Sequence, residues 1–338
     1  MVALKTLLFV TAMALGALAQ PRLHLDDGTY KIVQFADLHF GEGESEAWGP
    51  RADRKTLAFL TSAMKHEAPV SHVVLSGDQV TGLNIDANAT DYYDEIIGVF
   101  SDSTPHTTIL GNHDAEPQTG DQGDPGAKTN RTALMLHDMA TPLSYSKPNL
   151  DLANGAVSAY IVDVYESAES DTVALQLIHL DSGGGGMPET IYDDQVAWLQ
   201  AQLDARADPS VPMLLFIHIP FAESQVALDE GDECFGVNND GVTPTTDDAG
   251  LFDLIAKEPS ILATFSGHDH CNDFCCAYNG QHLCFGRHSS YGGYSCSGMA
   301  HEHGVRVIEF TRSDEGEVGL STWVRMELGN KAEEHALV

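Results

Sequence analysis

Five short apolar runs, each of which ends at polar residues, constrain the fold of this chain more than any other feature. They are residues 30–35, 72–75, 107–110, 212–217 and 261–265. Runs of this length that stop at glycine or at polar residues are typical of buried strands. Helices are predicted at 50–65, 90–100, 130–139 and 189–206, and further strands at 156–165, 173–180, 305–310 and 321–327. The pattern predicts an α/β fold.

Aspartate, asparagine and histidine follow directly after these five runs. They are Asp37 and His39, Asp78, Asn112 and His113, His218, and His268 and His270. In open α/β sheets ligands bind beyond the carboxyl ends of the strands. Each residue alone has a structural explanation, because an aspartate after a strand often caps a helix and a lone histidine is more often packed than ligating. Together they form an oxygen- and imidazole-rich set that suits two transition-metal ions better than calcium.

The charge of the chain limits its partners. With 17 basic and 50 acidic residues the formal net charge is −33. Such a surface repels polyanions, so we expect neither nucleic acid nor an anionic membrane as the main partner. At 338 residues and 43% hydrophobic, the chain is long enough to bury a large core.

The first 19 residues predict a secretory signal peptide. They contain one lysine, an apolar stretch and the small-residue sequence Ala17-Leu18-Ala19. Residues 20–338 are then expected to form a single domain of a secreted protein. The sequons at Asn88 and Asn130 fit an exported glycoprotein.

All six cysteines lie in the C-terminal part of the chain, and none forms a zinc-type C-x-x-C pair. Disulfides are the expected state in an oxidising compartment. Asn279-Gly280 is typical of a two-residue hairpin turn, which would place Cys275 opposite Cys284. The other pairings stay open at this point.

The strand-end residues occur in motifs that resemble those of the calcineurin-like metallophosphoesterases. That family carries D-x-H, G-D, G-N-H-D/E, an isolated H and G-H-x-H in this order, and here they are Asp37-Leu38-His39, Gly77-Asp78, Gly111-Asn112-His113-Asp114, His218 and Gly267-His268-Asp269-His270. Residues 265–294 are most similar to the purple-acid-phosphatase-like branch of plant and fungal secreted proteins. The resemblance implies a four-layer α/β/β/α sandwich of two mixed sheets flanked by helices.

The resemblance also implies the ligands of two metals. One ion would be held by Asp37, His39, Asp78 and His270, and the other by Asp78, Asn112, His218 and His268, with Asp78 bridging them. The metals are expected to be Mn, Zn or Fe.

Four further roles are expected around the metals. His113 would protonate the leaving oxygen, and Asp114 would orient its ring. Asn112 and His113 would also contact the substrate. Arg287 and His288 are candidate substrate contacts, because a phosphate needs a cation or donor and basic residues are scarce here.

One departure from the purple enzymes changes the expected metal. Where those enzymes carry a ligating tyrosine and a glycine, this chain has Thr81 and His39. An imidazole in place of a phenolate makes the site less suited to ferric iron. No tyrosinate-to-iron absorption band is therefore expected, unless another residue such as Tyr92 or Tyr291 reaches the metals.

These features predict a phosphatase that hydrolyses phosphomonoesters by in-line attack of a metal-bridging hydroxide. Its substrates would be phosphorylated small molecules or phosphoproteins. Two alternatives stay open: a phosphodiesterase or nucleotidase on the same site, and a catalytically silent metal-binding interaction module. The sequence does not determine the oligomeric state.

Overall fold

The structure, a computed structural model, describes residues 20–85, 89–115, 130–149, 152, 156–231, 233–296 and 302–338. The predicted signal peptide, the sequon residue Asn88 and the predicted loop 116–128 lie outside the described residues. None of the helices in the described residues is both long and apolar enough to cross a membrane.

Thirteen strands and six helices are found in these residues. The strands are β1 (Thr29–Phe35), β2 (His72–Ser76), β3 (His106–Ile109), β4 (Ala159–Tyr165), β5 (Val173–Leu180), β6 (Met213–Phe216), β7 (Cys234–Phe235), β8 (Ile261–Ser266), β9 (Cys275–Tyr278), β10 (Gln281–Phe285), β11 (Gly304–Arg312), β12 (Val318–Met326) and β13 (Lys331–Ala336). The helices are α1 (Gly49–Glu67), α2 (Ala89–Ile97), α3 (Arg131–Met139), α4 (Asp193–Asp204), α5 (Glu223–Glu230) and α6 (Leu251–Ile255).

The strands form two mixed sheets. The first has the order β13-β12-β11-β1-β2-β3, and the second has the order β4-β5-β6-β8-β10-β9-β7. Strands β1, β2 and β3 are parallel to one another, as are β5, β6, β8 and β10, and the remaining pairs are antiparallel. The parallel strands of the second sheet lie in its middle, whereas β3 is the edge strand of the first. The predicted ligands follow the carboxyl ends of β1, β2, β3, β6 and β8.

Three apolar clusters hold the layers together. Between the sheets, Ile32 and Val74 of the first sheet belong to one cluster with Phe216 and Phe265 of the second. A second cluster joins the first sheet to α1, α2 and α3, and a third joins the second sheet to α4, α5 and α6. Burial of apolar side chains at about 25 cal/mol per Å² supplies the main driving force for this layering. The predicted four-layer α/β/β/α sandwich is therefore confirmed.

Some predicted boundaries differ from the observed ones for local reasons. Helix α2 ends at Ile97 and not at residue 100, because Gly98 follows and glycine is a poor helix former. Helix α4 begins at Asp193, where the side chain of Gln195 accepts from the backbone N–H of Tyr192 at 3.0 Å and starts the helix. Helices α5 and α6 and strands β7 and β13 are not anticipated by the sequence patterns. Helix α6, with five residues, is too short to show a helical period.

Three disulfides are formed. Cys275 is paired with Cys284, as predicted, and the two residues face each other in the β9–β10 hairpin. The turn has Asn279 at φ +48° and Gly280 at φ +78°, which is the left-handed backbone that this two-residue turn requires. The other bridges, Cys234–Cys276 and Cys271–Cys296, join residues whose pairing the sequence leaves open. Disulfides of this number are typical of proteins of the secretory pathway.

Candidate metal centre

The ends of five strands meet at one edge of the sandwich. Asp37 and His39 follow β1, Asp78 follows β2, Asn112 and His113 follow β3, His218 follows β6, and His268 and His270 follow β8. Six of these side chains form two groups of three, Asp37, His39 and His270, and Asp78, His218 and His268. Within each group the potential ligand atoms all lie within 4.8 Å of one another.

In the first group the atoms that could bind a metal face each other. His39 Nε2 lies 3.0 Å from His270 Nε2, and His270 Nε2 lies 3.9 Å from Asp37 Oδ1. Asp37 Oδ2 is buried and has no hydrogen-bond partner. A buried carboxylate oxygen without a partner is costly unless a cation occupies the space in front of it.

The second group contains an amide oxygen as well. His218 Nε2 lies 3.1 Å from Asp78 Oδ2, and Asn112 Oδ1 lies 3.1 Å from His218 Nε2 and 3.0 Å from His268 Nδ1. The four atoms are two oxygens and two imidazole nitrogens. This mixture suits a borderline transition-metal ion such as Zn, Mn or Fe(II).

Asp78 lies between the two groups. Its Oδ2 atom is 3.1 Å from His218 in the second group and 3.7 Å from His39 in the first. Its Oδ1 atom accepts a hydrogen bond from the backbone N–H of His113 at 2.7 Å, which fixes the carboxylate plane. Asp78 is thus placed to contribute to both groups, and its predicted bridging role stays a prediction.

The outward nitrogens of three ligand histidines fix the rings. His218 Nδ1 donates to the carbonyl of Ser76 at 2.9 Å and His270 Nδ1 to that of Tyr294 at 3.0 Å. A carbonyl only accepts, so these nitrogens carry the protons and, in the neutral rings, the Nε2 lone pairs point inward. His39 Nδ1 lies 3.0 Å from Thr81 Oγ1. The Nε2 atoms of all three rings face carboxylate oxygens, where a cation can replace a proton, so the residues fit the two metals that the family motifs imply.

Burial and mutual charge set the protonation of the ligands. Burial lowers the pKa of His268 to about 3 and that of His270 to about 4, so both rings are neutral near pH 7. Burial acts to lower the pKa of His218 too, but Asp78 and Asp37 outweigh it and raise the pKa to about 10. Burial acts to raise the pKa of Asp78, yet His218 holds it well below its usual range. Without metal, His218 is therefore protonated near pH 7, and a bound metal would displace that proton, because deprotonated carboxylates and neutral imidazoles are the forms that bind metals.

The backbone at the site is held in unusual conformations. Asp37, His39, Asp78 and His268 have φ of +58°, +48°, +54° and +77°. Left-handed φ angles at residues other than glycine are uncommon and cluster at functional sites. Gly111 is needed for a close approach, because a Cβ there would lie 2.2 Å from Asp78 Oδ1.

His113 and Asp114 differ in their surroundings. His113 is half-buried, lines the cavity over the metal groups and lies 5.1 Å from the His39 ring, centroid to centroid. Asp114 is buried, and its two oxygens accept from the backbone N–H groups of Asp78, Val80 and Gly111 at 2.9, 3.0 and 2.6 Å. Asp114 thus ties the loops after β2 and β3 together. Its predicted role in orienting the His113 ring stays a prediction.

Arg287 and His288 lie behind the ligands. Arg287 is buried, with Nη1 2.7 Å from Asp273 Oδ2 and Nε 3.0 Å from the carbonyl of Glu302. His288 is buried and packs on the His270 ring at 4.1 Å, and its Nε2 lies 3.2 Å from Ser290 Oγ. We therefore do not retain either side chain as a substrate contact, because both are used to hold the fold.

Three residues that support the ligands were missed by sequence reasoning. Gly184 has φ +85°, and a Cβ there would lie 2.2 Å from Asn112 Cβ, so the glycine run 183–186 packs against a predicted ligand. Arg131 donates to the carbonyl of Gly111 at 2.7 Å and pairs with Asp181. The third is Tyr294, whose ring stacks on His270. The run of four glycines was the one signal available in the sequence.

A cavity of about 340 Å³ gives access to the two groups. Its described lining consists of His39, Glu42, Asp78, Thr81, His113, Thr243, His268, Asp269, His270, Gly293 and Tyr294. No lysine or arginine is among these lining residues.

The two tyrosines considered as alternative metal ligands have other partners. The Tyr92 hydroxyl donates to Glu44 at 2.8 Å and the Tyr291 hydroxyl to Glu327. The absence of a tyrosinate absorption band stays a prediction.

A family model described as Calcineurin-like phosphoesterase matches residues 30–272 of the chain. The chain belongs to this family. The resemblance inferred from the strand-end motifs is thereby confirmed, and the ligand groups described above lie within the matched residues. For a calcineurin-like phosphoesterase, two adjacent metal-ligand groups are the expected centre.

Curated relatives carry phosphatase names. The chain is 26% identical over 335 residues to "Probable inactive purple acid phosphatase 29" of Arabidopsis thaliana. That alignment covers 89% of this chain and 83% of the relative. It is 28% identical to "Phosphatase DCR2" of Saccharomyces cerevisiae, over 94% of this chain and 57% of the relative. A solved dimetal phosphatase from Danio rerio has a TM-score of 0.58 and 13% identity, over 93% of this chain and 99% of that chain. The last match supports the fold.

Proposed function

We propose that this phosphoesterase is a dinuclear-metal phosphatase that hydrolyses phosphomonoesters. The observation that carries the proposal is the convergence of seven donor side chains, from five strand ends, into two adjacent groups that share Asp78. A single structural metal would not need the second group. A purely structural histidine cluster would not bring two carboxylates and an amide oxygen to the same imidazole nitrogen, as happens at His218 Nε2.

The cavity lining offers no cationic side chain among its described residues, so positive charge for a phosphate would have to come from the metals. Glu42 and Asp269 line the cavity, and no lysine or arginine is among its described lining residues. A phosphate dianion would be repelled by such a wall in the absence of a cation. When bound, two divalent cations supply that charge and an acidified water.

The chain's own residues then position the substrate and move the proton. Asn112 lies at the second group, next in sequence to His113, whose ring faces the cavity. His113 lines the cavity and belongs to neither ligand group, which supports a role in donating a proton to the departing oxygen. The backbone N–H of His113 holds Asp78, which couples the position of the acid to that of the shared ligand.

Two alternatives are kept because each has support. A phosphodiesterase or nucleotidase would use the same centre. A silent metal-binding module is favoured by the word "inactive" in the names of three relatives. The phosphatase is the better proposal here, because the ligand set of this chain is complete and is accompanied by His113.

The secretory origin and the substrates are part of the same proposal. The three disulfides support passage through an oxidising compartment. The proposed substrates are phosphorylated small molecules or phosphoproteins, since an acidic protein disfavours nucleic acids.

Hydrolysis of a chromogenic phosphomonoester and of a matched diester, each with and without chelator, separates the three functions. We expect chelator-sensitive turnover of the monoester that exceeds turnover of the diester. Faster turnover of the diester would favour the phosphodiesterase. A protein that binds two metals and turns over neither ester would be the silent module.

A further inference from the structure

Tyr294 contacts the ligand His270 in three separate ways. Its backbone carbonyl accepts from His270 Nδ1 at 3.0 Å, and its hydroxyl accepts from the His270 backbone N–H at 2.9 Å. The two rings are stacked, with centroids 4.0 Å apart and planes 5° apart. One residue thus restrains the tautomer, the ring plane and the backbone of the same ligand.

The segment around Tyr294, residues 292–296, lies directly on the first ligand group, and we call it the strap. A Cβ on Gly293, which has φ +70°, would lie 2.4 Å from His270 Cε1 and 2.9 Å from His39 Cδ2. A Cβ on Gly292 would lie 2.9 Å from the Cβ of His39. The two glycines therefore let the strap backbone approach both imidazoles.

The strap is anchored at three points. The backbone N–H of Gly293 donates to Glu42, and the hydroxyl of Tyr294 donates to Asp240. Cys296 forms a disulfide with Cys271, the residue next to His270. These anchors hold the strap against the ligand, while Tyr294 itself remains 48% exposed at the cavity. A half-exposed aromatic residue contributes little to a core, so its contacts with His270 call for another explanation.

We propose that Tyr294 is a positioning residue for the metal centre and acts through His270. Its ring stacks on the His270 ring, its hydroxyl accepts from the His270 backbone N–H, and its backbone carbonyl accepts from Nδ1. Together these contacts would present Nε2 to a metal held by Asp37, His39 and His270. Partners of ligand histidines typically change metal affinity by about 10- to 100-fold when they are removed. The inference rests on the proposed metal centre and does not depend on which phosphate ester is hydrolysed.

The test is a titration of metal-free protein with Co²⁺, followed by visible absorption, which reports coordination independently of catalysis. Tyr294→Ala removes the stacked ring and the hydroxyl and keeps the backbone carbonyl, so one of the two binding steps is expected to weaken by about 10- to 100-fold. In a His270→Ala background the same substitution should add little, because its route to the metal is already removed. Full additivity of the two substitutions, or wild-type affinity in Tyr294→Ala, would overturn the inference.

Matched conservative variants guard against a general loss of structure. Tyr294→Phe keeps the stacked ring and the carbonyl, so we expect about a two- to tenfold weakening from one lost hydrogen bond. Tyr291→Phe removes a hydroxyl from the same loop, and that hydroxyl contacts Glu327 and no metal ligand in the described contacts. Tyr291→Phe should bind both metals as the wild type does, and equal effects of the two Phe variants would contradict the inference.

The proposed function and this inference can fail separately. A wild-type protein that binds fewer than two Co²⁺ ions would defeat the proposed function. A wild type that binds two, with a Tyr294→Ala variant indistinguishable from it, would defeat the positioning role alone.

Discussion

Buried histidines occur in two regions of this molecule, and they are satisfied in opposite ways. Between the sheets, His72 lies 3.1 Å from the Tyr30 hydroxyl through Nδ1 and 2.9 Å from Thr107 Oγ1 through Nε2. His179 lies 2.8 Å from the same Thr107 hydroxyl and 3.2 Å from the carbonyl of Leu177. At the edge of the sandwich, in contrast, ligand nitrogens face carboxylate oxygens, an amide oxygen and each other.

The difference lies in the partners and not in the burial. A hydroxyl can donate to one group and accept from another, so the interior network around Thr107 is complete without any ion. At the edge, the oxygens of Asp78 and Asn112 only accept, and an imidazole nitrogen that faces them can bind a cation in place of a proton, so this group suits a metal. Burial of a histidine therefore does not indicate its function. Carboxylate and amide oxygens that face several imidazole nitrogens indicate a metal site.

The largest effect is expected from the ligand shared by both groups. Asp78→Asn should weaken binding of both metals and reduce activity by at least about a thousandfold, because metal ions contribute several kcal/mol to transition-state stabilisation. Elemental analysis and kcat/KM measure the two effects. Thr107→Val, in the interior network, is the control and should retain both metals. An active Asp78→Asn protein with two tightly held metals would show that the ligand assignment is wrong.

His113 separates an enzyme from a metal site alone. His113→Ala should keep both metals and lose about a hundred- to ten-thousandfold in rate on alkyl phosphates, since general acid catalysis is worth about that much. It should lose less on nitrophenyl phosphate, whose leaving group needs little protonation. The measurement is kcat/KM across esters of graded leaving-group pKa, with metal content checked in parallel. An equal loss on every ester would indicate positioning and not proton donation.

The interior network predicts a pH effect on stability. Burial lowers the pKa of His179 to about 3, while the unfolded side chain titrates near 6.5. The contribution of neutral His179 is thus fully present above about pH 6.5 and is lost as pH falls toward 3, by about 1.4 kcal/mol per pH unit. Denaturant unfolding between pH 6.5 and 4.5 should give a shallower pH slope for His179→Gln than for wild type. Identical slopes would mean that His179 is protonated in the folded protein.

The smallest effect is expected behind the ligands. Thr81→Val removes the hydroxyl next to His39 Nδ1, so binding at the first group should weaken by about tenfold. Thr81→Ser keeps the hydroxyl and should bind as wild type does. Titration of the metal-free proteins compares the three. Loss of affinity in the serine variant would assign the effect to packing and not to the hydrogen bond.

The sequence predicts the central strands and one hairpin well, because these elements depend on local patterns. The apolar runs gave β1, β2, β3, β6 and β8 within about one residue, and the polar residues after them are the ones that converge. The two-residue turn at Asn279 likewise predicted the Cys275–Cys284 disulfide, which is formed. Each of these features depends on residues that are close in sequence, or on the rule that ligands bind beyond the carboxyl ends of parallel strands.

What the sequence could not predict depends on contacts between distant segments. Arg287 looks like a phosphate-binding residue until Asp273 and the carbonyl of Glu302 are seen around it. The close approach of Gly184 to Asn112 joins segments about 70 residues apart and has no local sequence pattern. Nothing in the letters around Tyr294 indicates that it stacks on a ligand 24 residues away.

The most direct test of the account is the number of metal ions bound per chain, measured together with activity. Metal-free protein titrated with Zn²⁺ or Mn²⁺ should bind two ions, and chelator-sensitive phosphomonoesterase activity should rise as the second site fills. A single bound ion at full activity, or activity that survives complete removal of metal, would contradict the two-group centre.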